Sequence, residues 1–238
     1  MKPDRFFYTV AGTIFLILTV LGFQQYIFHG KHPDGSAIAP TILAIVVAHS
    51  SAIFLWFVMF FVQALLISTH NRRVHMTLGW GVVGIAALIV VTGPLVAFRS
   101  IQVAPEQVIF HWPGPQFLLV MFTEIALFAA FVTMGVLNRK RPRIHRPMMM
   151  LACLAIVSGA TGRIAQVGAI FGGHHWIGIS GPVVSLGLLL LVVRAALTRS
   201  FDRPFAVGLA VYAVVTLMAG RLAMTSMWGD WAGMMLKR

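Results

Sequence analysis

The stretch PTILAIVVAHSSAIFLWFVMFFVQALLIS, residues Pro40–Ser68, holds no charged side chain and one ionisable group, His49. A helix rises about 1.5 Å per residue, so about 20 mainly apolar residues cross a hydrocarbon core roughly 30 Å thick. This stretch exceeds that length and reads as a membrane-spanning helix. Phe6–Phe28, His75–Phe98, Gly114–Asn138, His145–Gly172, Trp176–Thr198 and Pro204–Trp228 read the same way. None alternates like the strands of an outer-membrane barrel. With 59% hydrophobic and 10% charged residues, and a mean hydropathy of +0.89, the chain is too apolar for a soluble domain of its size. The composition predicts an all-α polytopic membrane bundle of about seven transmembrane helices, one transmembrane domain over residues 1–238.

The basic residues set the orientation. Lys2, Arg5, Arg72, Arg73, Arg139, Lys140, Arg141, Arg143, Arg146, Arg194, Arg199 and Arg203 fall on one side of such a seven-span path. Lys31, Arg99, Lys237 and Arg238 fall on the other. The positive-inside bias places the N-terminus in the cytoplasm and the C-terminus outside, in a bacterial cytoplasmic (inner) membrane. The formal charge of +12 is then topology rather than a nucleic-acid footprint. Residues Asn138–Arg146 form a basic loop able to touch anionic lipid. Phe6–Phe28 is too long for a signal-peptide core, and Gln24-Gln25-Tyr26 is no small-residue cleavage site, so it reads as a retained anchor. The connection Arg99–Pro113 suits an interfacial turn or a short surface helix.

Cys153 is the one cysteine, which excludes an intramolecular disulfide and a cysteine-based metal motif. No phosphate-cradling loop, nucleophile elbow or metalloprotease motif is present. The seventh span has no lysine for a retinal. His29, His32, His111, His174 and His175, with Met224 and Met227, form only a poor copper pattern.

Residues 40–98 and 114–172 read as a weak parallel repeat. Asn71-Arg-Arg-Val-His75 opens the third span and Arg141-Pro-Arg-Ile-His145 the fifth, each after a span with a buried ionisable group, His49 or Glu124. Ionisable groups inside a bilayer are costly unless paired or hydrated, so each is a candidate functional residue. His49, Glu124, Arg163 and Arg221 all fall roughly 10–15 Å from the external ends of their helices, and Gln166 lies one turn from Arg163. One reading is a structural network in which Glu124 neutralises an arginine. The other is a pocket whose surplus guanidinium takes an anionic group from outside, since the arginine fork matches carboxylate and phosphate.

His75 and His145 form a second layer at the cytoplasmic edge. They are the histidine pair at matched depth, so they are candidate metal and cofactor ligands; alternatively they anchor helix ends among lipid headgroups. His75 shares its helix face with Gly79, Val82, Ala86 and Gly93, a small-residue stripe suited to close packing or a flat cofactor.

His49, the segment His75-Met-Thr-Leu-Gly79 and the segment His145-Arg-Pro-Met-Met together resemble a broad set of bacterial multi-spanning proteins with a buried His followed by His-x-x-Leu-Gly. The pattern is also similar to haem-handling bundles such as haem A synthase and cytochrome b561-like proteins, over about the central third of the chain. Those proteins pair histidines across repeats, whereas Glu124 stands where the second buried histidine would be. The resemblance implies haem b on His75 and His145 and a haem- or quinone-linked redox or haem-handling role. The alternatives are a transporter or receptor for a small anionic solute or protons, built on His49, Glu124, Arg163 and Arg221, or an accessory subunit of a membrane protein partner.

Overall fold

The computed structural model describes residues 6–32, 35–106, 108–109, 112–172 and 175–236. Lys2, Arg5, His111, His174, Lys237 and Arg238 lie outside them. The chain runs through α1 (Phe7–Gly22), α2 (Gln24–His29), α3 (Pro40–Ser68) and α4 (Arg72–Val103). The strands β1 (Val108–Ile109) and β2 (Trp112–Pro113) follow, then α5 (Gly114–Leu137) and α6 (Pro142–Thr161). The remainder is α7 (Ala165–Phe171), α8 (His175–Thr198), α9 (Arg203–Ala223) and α10 (Ser226–Leu236). The fold is an all-α helical bundle, and α3, α4, α5, α6, α8 and α9 are each long and apolar enough to cross a membrane. The apolar α1 is shorter, and α2 continues from it after a one-residue break at Phe23.

Two rings of neighbouring helices share the α5–α6 pair. One runs α1, α3, α4, α5, α6; the other runs α5, α6, α8, α9. α6 stands at the centre and is the most deeply buried of the six spans. Its run from Met150 to Val157 meets Trp56, Phe57 and Phe60 of α3, Phe15 of α1 and Phe128 of α5 in one core. Trp56 stands edge-on to Phe128, with centroids 4.9 Å apart. Cys153 is a free, buried thiol within this core.

α9 shows why the helices are apolar on every side. Phe205, Leu209, Tyr212 and Thr216 line its buried stripe, while Val207, Val211, Val214 and Met218 are exposed at the same spacing. A helix apolar all round belongs in a core or in lipid, and these outward side chains have lipid as their solvent.

Four segments differ from the sequence expectation. The helix predicted over Phe6–Phe28 breaks at Phe23. The one predicted over His145–Gly172 stops at Thr161 and resumes as α7 after Gly162-Arg163-Ile164, where glycine weakens the helix and Ile164 is extended. The one predicted over Pro204–Trp228 ends at Ala223, because Thr225 Oγ1 accepts the Trp228 N–H at 3.4 Å and starts a new helix, α10. Between Arg99 and Pro113, α4 runs on to Val103 and a two-residue antiparallel ladder pairs Ile109 with Trp112.

At the end of the bundle rich in arginine, Tyr8 lies between the guanidiniums of Arg146 and Arg194, 6.0 and 5.5 Å from its ring centroid. Arg194 pairs with Asp202, whose other oxygen caps α9 at Phe205 N. At the opposite end, Trp112 and Ile179 form an apolar plug with Phe117, Val120 and Ala223. There Trp228 of α10 donates to the Pro115 carbonyl at 3.0 Å.

The tightest helix crossing is backbone on backbone. A Cβ placed on Gly22 would stand 2.6 Å from Ala160 Cα, so the end of α1 can pass α6 only as glycine. Gly22→Ala is expected to cost about 1–3 kcal/mol, typical of overpacking, seen as a lower melting temperature of the detergent-solubilised protein. The same substitution at Gly79, where an added Cβ meets nothing within 4 Å, should leave the melting temperature in place.

Candidate functional site

The polar groups inside the spans gather in separate clusters rather than in one pocket. At the arginine-rich end, His75 opens α4 and His145 opens α6, and their rings meet edge to face with centroids 6.3 Å apart. Each is held by the preceding helix of its own hairpin. His145 Nδ1 lies 2.9 Å from the Gly135 carbonyl of α5. A carbonyl only accepts, so Nδ1 carries the hydrogen and Nε2 of the neutral ring keeps its lone pair. Gln63 of α3 serves His75. With its amide nitrogen turned to the ring it donates to His75 Nδ1 and to the His75 carbonyl at 3.2 Å, while its oxygen accepts from Gly79 N at 3.2 Å. Both histidines are half-buried.

His49 of α3 is 9% exposed, and its Nδ1 lies 2.9 Å from Thr92 Oγ1 of α4. The Thr92 hydroxyl donates to the Leu88 carbonyl at 2.6 Å. Its hydrogen is therefore spent, its oxygen accepts, and His49 Nδ1 is the donor. Nε2 of neutral His49 then carries the lone pair. Gly93 makes room for the ring, because a Cβ there would stand 3.2 Å from His49 Cε1.

Glu124 of α5 lies in the other ring of helices. Its Oε2 accepts from Ser158 Oγ of α6 at 2.7 Å. The Tyr212 hydroxyl of α9 faces the carboxylate, and Ser180 of α8 faces Tyr212. Glu124 is half-buried as a residue, but its Oε1 is sealed from the surface without a hydrogen-bond partner, as is the Tyr212 hydroxyl.

The expected shared layer of His49, Glu124, Arg163, Gln166 and Arg221 is not what the structure builds. Arg163 sits in the turn after α6. It donates to the Gly159 carbonyl and lies over the rings of Phe23 and Tyr26, 4.8 and 5.8 Å from their centroids. Tyr26 in turn bonds His32 Nδ1 at 2.9 Å. Gln166 and Arg221 are exposed, and Glu124 pairs with neither arginine; the ion pair among the described residues is Arg194–Asp202. The break at Gly162–Ile164 carries Arg163 to the α1–α2 junction, and Arg221 lies outside the buried stripe of α9. Equal depth along a helix thus did not mean a common face.

Reading the sequence by charge passed over Gln63, Thr92, Ser158, Ser180 and Tyr212. They were visible as polar residues in apolar spans. Serine and threonine hydroxyls in helices commonly bond their own backbone, as Thr216 does with the Tyr212 carbonyl at 2.8 Å, so sequence alone does not tell which of them reach another helix.

Among the described residues no three His, Cys, Asp or Glu side chains gather where they could hold a metal ion. His75 and His145 offer two imidazoles side by side. Comparison with protein-family models, with curated proteins and with solved structures gave no match.

The His49–Thr92 bond is testable directly. Thr92→Val keeps the shape and strands a buried imidazole N–H, which costs about 1–3 kcal/mol. Thermal unfolding in detergent should show this loss, with Thr92→Ser restoring most of it.

Proposed function

We propose that this chain is a seven-crossing protein of a bacterial cytoplasmic membrane that holds haem b through His75 and His145 and serves a redox or haem-handling role. The observation that carries the reading is the meeting of the two rings at 6.3 Å, with a hydrogen-bond partner on the Nδ1 side of each. Metal–nitrogen bonds are about 2.0–2.1 Å, so two imidazoles sharing one metal put their nitrogens about 4 Å apart across it. The two rings stand edge to face with centroids 6.3 Å apart, so they must turn to aim both Nε2 atoms at one iron. Two donors are too few for a bare transition ion, which takes three or four protein ligands. They suit a haem iron, whose other ligands come from the macrocycle.

Each residue has a defined task in this reading. The Gly135 carbonyl fixes the His145 tautomer and raises the basicity of its Nε2, as outer-shell partners of metal-bound histidines do. His75 needs its hydrogen on Nδ1 to free Nε2 for a metal. That shift gives up the Gln63 donation to Nδ1, while the Gln63 amide keeps its bonds to the His75 carbonyl and Gly79 N. When bound, the haem supplies a one-electron couple. A quinone is the redox partner this reading calls for. A shallow, open apolar groove lined by Val90, Pro94 and Ile125 is the place this reading gives it. Ile125 and the His49 ring both stand against Gly93.

Seven crossings follow if α1 and α2 cross together, and the arginine-rich end is then cytoplasmic by the positive-inside bias. A reporter that folds only in the cytoplasm, fused at the C-terminus, should stay dark, and a periplasm-dependent enzyme fused there should be active.

Reduced-minus-oxidised spectra of the purified protein test the haem. Soret and α-band changes with about one haem per chain are expected, and His75→Ala and His145→Ala should each abolish them. Purified, folded protein without bound haem that also fails to bind added haemin would overturn the assignment.

A further inference from the structure

Glu124 is not used by the His75–His145 reading, and its surroundings are unusual for a carboxylate. Four helices present oxygen to one another here: Glu124 from α5, Ser158 from α6, Ser180 from α8 and Tyr212 from α9. Tyr212 is the titratable group that faces Glu124; no Lys, Arg or His among the described residues on the elements packed against α5 does so. An ionised carboxylate with no counter-charge in an apolar interior costs several kcal/mol. The site is plugged toward the nearer end of the bundle by Trp112, Phe117, Val120, Ile179 and Ala223.

Two atoms point to what is missing. Glu124 Oε1 and the Tyr212 hydroxyl are both buried without a hydrogen-bond partner, and Tyr212 is 0% exposed. We infer that Glu124 is a proton-binding site, with the proton on Oε1, the Tyr212 hydroxyl accepting it, and Tyr212 donating onward to Ser180. Protonation adds a donor to this row of oxygens and removes the uncompensated charge. Ser158 keeps Oε2 as its acceptor in either state. When the proton passes to solvent water, Tyr212 turns its own hydrogen to Oε1 and steadies the anion, so the four groups accommodate both states without moving a helix. No bond other than O–H forms or breaks, and the site is independent of any haem.

The sequence makes the test clean, because Glu106 and Glu124 are the only glutamates and Glu106 is exposed. Protein labelled with carbon-13 at the glutamate δ-carboxyl, reconstituted in lipid, should give two carboxyl resonances. One, from Glu106, should follow solvent pH. The other should keep the shift of a protonated acid at neutral pH, in potassium and in sodium buffer alike, and vanish in Glu124→Gln. Tyr212→Phe should move that second resonance by removing its acceptor. Two ionised carboxylates at neutral pH would overturn the proposal. So would a second resonance that ionises only when sodium replaces potassium, which would make the occupant a metal cation. A resonance unmoved by Tyr212→Phe would overturn the proton path through Tyr212. The wild-type measurement stands even where a variant fails to fold.

Discussion

A polar side chain in a hydrocarbon layer has no water to bond, so each must find its partner on its own or a neighbouring helix. This constraint organises the bundle. It ties α3 to α4 through His49 and Thr92, α5 to α6 through Glu124 and Ser158, and α8 to α9 through Trp176 and Thr216, at 2.9, 2.7 and 3.0 Å. Lipid tails are as apolar as leucine, so apolar burial discriminates poorly between helix neighbours. Polar contacts and close small-residue approaches do it instead. Gly22 against Ala160 and Gly93 against His49 are the second kind.

The helical membrane character was legible because it rests on length and composition, which the bilayer reads directly. The breaks at Phe23 and Gly162–Ile164 were not. Each depends on a local cap or a neighbouring helix, and the apolar pattern runs through both without pause. The pairing of α3–α4 with α5–α6 was partly visible as two basic turns followed by histidine. The structure adds a second correspondence: in each hairpin the buried ionisable group on the first helix bonds a hydroxyl on the second, His49 to Thr92 and Glu124 to Ser158. Depth could be counted from the sequence, but azimuth could not. Arg221 shows the difference, being at the depth of Glu124 but exposed.

One hairpin therefore contributes to both candidate sites. α5 offers Gly135 to His145 near the arginine-rich end and Glu124 to Ser158 in the other half, while α6 supplies both partners. α6 is the most enclosed helix and the least able to shift without disturbing its neighbours. A site built on such an element is held by packing rather than by its own bonds.

The Gly22–Ala160 crossing also constrains biosynthesis. Helices leave the ribosome in chain order, so α1 emerges long before the α6 backbone it must lie against. α3 can shelter one flank of α1 as soon as it arrives, because the two are neighbours. The other flank waits, facing lipid or the insertion machinery, until the α5–α6 hairpin is in place. Closure of the first ring thus waits for α6, and the glycine that permits it is read only once that helix has arrived.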